Sequence, residues 1–151
     1  QEIRVEVSSG LSDAGKFARY RLGEGITGRV VETGKPIVVP KVSCEPMFLN
    51  RAGKRDLNKQ EITYMCVPIV VKNRTVGALG VDLKFKPDRD YDSEIKCLSL
   101  IAAMMAQARR ELRARGIKVA DSVPVEVNPL WDGKLPAGTV ITTPTYFESP
   151  R

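Results

Sequence analysis

The sequence has no histidine among its 151 residues. That removes the commonest general base, the commonest pH switch and the commonest zinc ligand together, and excludes serine–histidine and cysteine–histidine catalysis within this chain. Cysteine is scarce: only Cys44, Cys66 and Cys97, odd in number and widely spaced. Such usage argues against a disulfide framework and for a reducing cytoplasm, and without C-x-x-C spacing it offers no closed zinc or iron–sulfur site. No apolar run is long enough to cross a bilayer, and the alternating polar and apolar residues 1–7 do not resemble a signal peptide. No metal, cofactor or membrane contact is expected.

What is present suits a soluble globular domain: 42% hydrophobic and 28% charged residues in a chain long enough for one real core. The net charge of +6 permits nucleic-acid contact without demanding it. Part of it, Arg109, Arg110, Arg113 and Arg115, falls at the end of a predicted helix, where cations complement the helix dipole. No direct nucleic-acid contact is therefore expected.

Patterning predicts a strand over 2–7, with Ile3, Val5 and Val7 on one face, and a polar loop over 8–19. Gly25 opens a short helix through Ile26, Val30 and Val31, with Gly34 as a left-handed cap and Pro36 as a stop. A short strand over 37–39 follows, then a long polar connection, 43–60, which Phe48 and Leu49 anchor to the core. A connection this long is often functional. The strongest strand signal is 62–72, apolar on both alternate faces and so buried on both, with Pro68 marking an edge or bulge. A turn at Asn73-Arg74 leads into a partner strand over 75–84, where Gly77 and Gly80 allow bends or close approach of another backbone. Asp92 caps a helix running to about Arg115, with Ile95, Leu98, Ala102, Met105 and Leu112 as one stripe and Ile101, Met104 and Ala108 widening it. Gly116 ends that helix. Prolines then interrupt every short apolar run, so 117–151 reads as a tail of low regular structure, with 123–127 and 139–143 as possible short strands.

Gly23-Glu24-Gly25-Ile26-Thr27-Gly28 matches G-x-G-x-x-G literally. A dinucleotide site needs a buried strand before it and a full crossover helix after it. Residues 17–22 are half charged and the helix ends by Gly34, so the glycines read as a sharp turn into a short helix.

The run from Tyr20 to Val31 around that turn, Gly34-Lys35-Pro36-Ile37-Val38-Val39-Pro40, and Cys66-Val67-Pro68-Ile69 paired with Val76-Gly77-Ala78-Leu79-Gly80-Val81-Asp82 together resemble a GAF domain. Between them, Glu45-Pro46-Met47-Phe48-Leu49-Asn50-Arg51 and Gly53-Lys54-Arg55-Asp56 resemble the amino-terminal regulatory domain of bacterial nitrogen-fixation (NifA-type) transcriptional activators. The resemblance covers roughly residues 3–112. It implies an α/β (α+β) fold: an antiparallel sheet, helices on one face and a ligand pocket on the other. Such a domain usually begins with a first helix and two strands that this order of elements lacks. The expected organisation is a sensory domain, 1–116, incomplete at its amino terminus, followed by an irregular tail, 117–151.

The resemblance further implies a regulatory, non-enzymatic module that binds a small metabolite such as 2-oxoglutarate, or an antagonist protein, and controls an attached ATPase module. The implied pocket walls are Ile26, Thr27 and Gly28 on the short helix, the connection 43–56, and the strand near Tyr64 and Cys66. Arg51, Lys54 and Arg55 could clamp a dicarboxylate, since guanidinium forks match carboxylates; the plain alternative is a solvated loop. Tyr64 is a ligand donor or a core tyrosine, and Cys66 a pocket residue or an inert buried thiol. The stripe on 92–115 is too wide for one sheet contact, so a homodimer through that helix is expected. The alternative function is a dimerisation or protein-interaction domain with no small-molecule ligand.

Overall fold

The computed structural model of the chain describes residues 2–8, 13–51, 61–116 and 145–148. Six strands, β1 (Glu2–Val7), β2 (Arg19–Arg21), β3 (Ile37–Val39), β4 (Ile62–Val71), β5 (Arg74–Lys84) and β6 (Thr145–Glu148), form one antiparallel sheet in the order β2-β1-β6-β5-β4-β3. Two helices, α1 (Gly25–Thr33) and α2 (Tyr91–Ala114), pack against it, and single 3-10 turns occupy Gly15–Phe17 and Val42–Cys44. This is the mixed α/β fold with an antiparallel sheet that the sequence led us to expect.

β4 explains how the layers form. Its apolar residues occupy both alternations, so each face of the sheet needs a cover. On one face Val67 and Ile69, with Leu79 of β5, pack against Ala102 and Ala106 of α2 and the flanking Ile95, Leu98 and Met105. On the other, Tyr64 and Cys66, with Ala78, pack against Ile26, Val30 and Val31 of α1. The helices thus lie on opposite faces, α2 on one and α1 on the face to which the sequence assigned the pocket walls Ile26, Thr27, Tyr64 and Cys66. The short helix covers the Tyr64–Cys66 face with its apolar Ile26, Val30 and Val31.

Local chemistry moved several boundaries. The hairpin turn is Lys72-Asn73, one residue earlier than expected, and both residues have positive φ (48° and 60°), as a two-residue turn matching strand twist requires. Pro68 lies beyond the last β4 residue paired with β3, and the ladder irregularity falls just after it, between Ile69 and Val70. Asp90, not Asp92, caps α2: its carboxylate accepts from the Ser93 backbone N–H at 3.1 Å. Along α2, Ile95, Leu98, Ala102 and Met105 of the predicted stripe face the sheet, joined by Ala106, whereas Leu112 is not part of that cluster and Ile101, Met104 and Ala108, expected to widen the stripe, are exposed, as is Leu100.

Two strands were not foreseen. β2 alternates exposed Arg19 and Arg21 around buried Tyr20, which sits opposite Ile3. Three residues, two of them charged, carry no visible period. β6 pairs with both β1 and β5, so four residues of the stretch read as an irregular tail are a strand within the sheet. Thr, Tyr and Phe favour extended backbone, and Pro144 and Pro150 bracket the run. The strands considered at 123–127 and 139–143, and the rest of 117–144, lie outside the described residues.

Candidate functional site

The site begins at the glycine turn. Gly23 and Gly25 have positive φ (78° and 61°), which only glycine adopts freely. Gly28 answers a different need: a Cβ there would lie 2.3 Å from the Arg21 carbonyl oxygen, so the helix could not pack on the strand that feeds it. Leu49 of the connection covers Gly25, with Leu49 Cδ1 2.9 Å from where a Cβ would stand. Space at the turn is filled by protein, and the literal G-x-G-x-x-G serves close backbone packing.

Inside the turn, on the α1 face of the sheet, Ile26, Thr27, Tyr64 and Cys66 are all buried. Thr27 Oγ1 and Tyr64 Oη share a hydrogen bond of 3.3 Å, and the Cys66 thiol interacts with both groups. Phe48 meets Tyr64 edge to face, ring centroids 5.2 Å apart. The Tyr64 phenol passes diagonally over Gly80 on β5, where a Cβ would stand 2.4 Å from Tyr64 Oη. Gly80, read from the sequence as allowing bends or another backbone, therefore makes room for a side chain. Burial pushes the Tyr64 phenol well above its ordinary value, with the neighbouring Cys66 adding to the rise and the Thr27 hydrogen bond opposing it, and burial pushes the Cys66 thiol up to about 12 against partial relief from its hydrogen bonds with Tyr64 and Thr27. Both stay protonated across the physiological range.

Beside this cluster, Arg51 ties residues 43–51 of the connection to the glycine turn and β2. Its Nη2 lies 2.7 Å from Glu24 Oε1, its Nη1 donates to the Arg19 carbonyl at 3.2 Å, and its guanidinium stands 5.9 Å from the Tyr20 ring centre. The other Glu24 oxygen accepts from the Arg21 backbone N–H at 2.8 Å. Arg51 and that N–H together hold the Glu24 carboxyl below its ordinary value. The start of the connection is tied down separately: Ser43 Oγ donates to Glu61 at 3.0 Å, and Lys41 stands over Phe85 at 4.7 Å.

Of the residues singled out from the sequence, the fold brings Ile26, Thr27, Tyr64 and Cys66 into one buried cluster, uses Gly28 for backbone packing, and sets Arg51 beside the cluster. Lys54 and Arg55 lie outside the described residues, so a three-cation clamp is not tested. Glu24 was missed: nothing in Gly-Glu-Gly marks it as the partner of a residue 27 positions away. The thiols do not converge. Cys44 is exposed, Cys66 is buried on the α1 face, and Cys97 is exposed on α2, across the sheet from Cys66. Among the described residues no group of three potential metal ligands occurs, and no helix is long and apolar enough to cross a membrane.

The GAF domain family model matches residues 4–110. The chain is 42% identical over 110 residues to the nitrogen fixation protein VnfA of Azotobacter vinelandii, covering 70% of this chain and 21% of that protein. It is 38% identical over 112 residues to the Nif-specific regulatory protein of Azospirillum lipoferum, covering 72% of this chain and 18% of that protein. The chain thus spans about a fifth of the length of these relatives. Among solved structures it resembles the A. aeolicus nlh2 GAF domain in an inactive state, with TM-score 0.58, 20% identity and 74% of each chain covered. It also resembles free methionine-R-sulfoxide reductase from Neisseria meningitidis in complex with its substrate, with TM-score 0.54, 20% identity, and 65% of this chain and 55% of that one covered. At these identities the two structures share the fold.

Proposed function

The chain belongs to the GAF domain family, and from that premise we propose that it is the regulatory sensory domain of a nitrogen-fixation-type transcriptional activator, working in the reducing cytoplasm and controlling an attached ATPase module. Its relatives among nitrogen-fixation regulators support this reading. So does one feature of the site: the connection is latched beside the buried Thr27–Tyr64–Cys66 cluster by an ion pair, Arg51–Glu24. An ion pair with solvent access exchanges partners readily, because its net worth in water is small. A small dicarboxylate such as 2-oxoglutarate would compete with Glu24 for the Arg51 fork, and releasing or re-latching the connection is a change with two outcomes. The module acts by binding and not by catalysis: Cys66 is held as a thiol and the other two cysteines lie apart from it.

Titration of the protein with 2-oxoglutarate, followed by heat or amide shifts, tests this. Arg51→Ala should weaken binding by a few-fold, since a charged contact with solvent access contributes roughly 0.2–1 kcal/mol. Absence of any response at millimolar ligand in the wild-type protein would exclude the metabolite reading.

A second reading is a dimerisation or antagonist-binding domain without a small ligand. It is favoured by the filling of the α1 face with Ile26, Phe48 and Tyr64, and by the exposed row Leu100, Ile101 and Met104 on α2.

A further inference from the structure

The four methionines meet different surroundings. Met65 is wholly buried in β4, Met104 is exposed on α2, and Met105 packs into the sheet-facing cluster of that helix. Met47, on the connection, stands against a cation: Nη1 of Arg29 on α1 donates to its sulfur at 3.3 Å. Met47 is half-buried at the edge of the Ile26–Tyr64 cluster, and Arg29 is exposed. The sulfur contact therefore lies where the connection meets both the helix and water.

The backbone around Met47 is tied to the same place. Its N–H donates to Glu45 Oε1 at 3.0 Å, and the Phe48 N–H donates to the Glu45 carbonyl at 3.0 Å. The Met47 carbonyl oxygen stands 3.4 Å from where a Cβ on Gly25 would lie, and Phe48 meets Tyr64. A change at the Met47 sulfur is thus a change in how the connection is held to the first turns of α1. A thioether is a weak acceptor and makes poor use of a guanidinium. A sulfoxide oxygen is polar and far more basic toward N–H groups, and a hydrogen bond to a cation is roughly twice as strong as a neutral one. Arg29 engages one sulfur lone pair and leaves the other for an oxidant. Its exposed side chain can shift to follow the new oxygen.

We propose that Met47 is a reversible oxidation site: a peroxide converts its thioether to the sulfoxide, and Arg29 binds the new oxygen, fastening residues 45–49 of the connection to α1. The free sulfur lone pair attacks one oxygen of hydrogen peroxide. The O–O bond breaks, an S–O bond forms, and the departing hydroxide takes the proton of the transferred hydroxyl and leaves as water. Sulfur loses two electrons and the peroxide gains them. A methionine sulfoxide reductase restores the thioether. The fastening does not depend on whether a metabolite binds beside Tyr64.

Graded hydrogen peroxide tests this on the full chain with exposed Cys44 and Cys97 replaced by serine. Peptide masses locate each sulfoxide, with exposed Met104 and buried Met65 as the two references. Met47 should oxidise in the same dose range as Met104, while Met65 stays reduced. Amide exchange is then followed in the same chain carrying Met104→Leu. Oxidation should slow exchange over residues 45–49 several-fold, and treatment with a methionine sulfoxide reductase should restore the starting rate. Arg29→Gln should leave Met47 oxidisable and remove the slowing. The proposal is overturned if Met47 resists peroxide as Met65 does. It is equally overturned by exchange that is unchanged or faster after oxidation, or by equal slowing in Arg29→Gln.

Discussion

Gly80→Ala tests whether Tyr64 is seated as described. A Cβ at this position would stand 2.4 Å from Tyr64 Oη, 3.0 Å from Cζ and 3.1 Å from Cε2, well inside the ~3.5 Å at which carbon contacts become favourable. The ring has little room to retreat, with Thr27 at 3.3 Å on its hydroxyl and the Phe48 ring T-shaped to it at 5.2 Å between centroids. Overpacking costs about 1–3 kcal/mol, and loss of the Thr27 hydrogen bond a further ~0.5–1.5 kcal/mol. Against this, alanine is better than glycine in a strand by roughly 0.5–1 kcal/mol. The net expectation is a loss of about 2–3 kcal/mol, or on the order of 10 °C in Tm, measured by calorimetry and denaturant unfolding. Tyr64→Phe removes the closest clashing atom, so Gly80→Ala in that background should cost at least about 1 kcal/mol less than in the wild type. A Gly80→Ala protein within about 0.5 kcal/mol of wild type, or a double-mutant cycle without coupling, would refute the seating of Tyr64 over Gly80.

Thiol titration of the folded protein should find Cys44 and Cys97 reactive and Cys66 only on unfolding, because burial holds its pKa near 12. A group whose pKa is raised by folding contributes stability that is complete below its unfolded value, near 9, and lost as pH rises toward 12; alkaline unfolding should therefore be steep across that window and shallower in Cys66→Ala. Glu24 has the opposite sign: its depressed pKa gives stability that is complete above its ordinary value of 4.5 and lost as pH falls through the folded value. Acid unfolding curves of Glu24→Gln and wild type should accordingly converge at low pH. On α2, Met105→Glu should cost about 2–4 kcal/mol because Met105 packs into the sheet-facing cluster. Met104→Glu, exposed, should stay within about 0.5 kcal/mol; light scattering of this variant would reveal any helix-mediated assembly through lost mass.

Much of the fold was legible because it rests on local chemistry or on a repeated period. The doubly apolar run of β4, the 3.6-residue stripe of α2, and the Gly34 cap with its positive φ are each visible within a few residues. The buried cluster was legible as a list, Ile26, Thr27, Tyr64 and Cys66, because these residues sit on elements whose faces could be assigned. The turn at Lys72-Asn73 and the cap at Asp90 were displaced by one and two residues, since several neighbours suit either role and packing on both flanks selects one.

The sequence alone determined the class of fold, the absence of histidine chemistry, and the order of its main elements from β1 to α2. Only the tertiary structure decided which face each helix covers, that Arg51 reaches Glu24, that Gly80 exists for the ring of Tyr64, and that residues 145–148 enter the sheet between β1 and β5. The physical reason is one of range. Periodicity, caps and turns are properties of neighbours along the chain, whereas an ion pair, a ring seated on a glycine and a strand inserted from the far end are choices among many distant partners. Such choices are settled when backbone donors must be paired and buried volume must be filled.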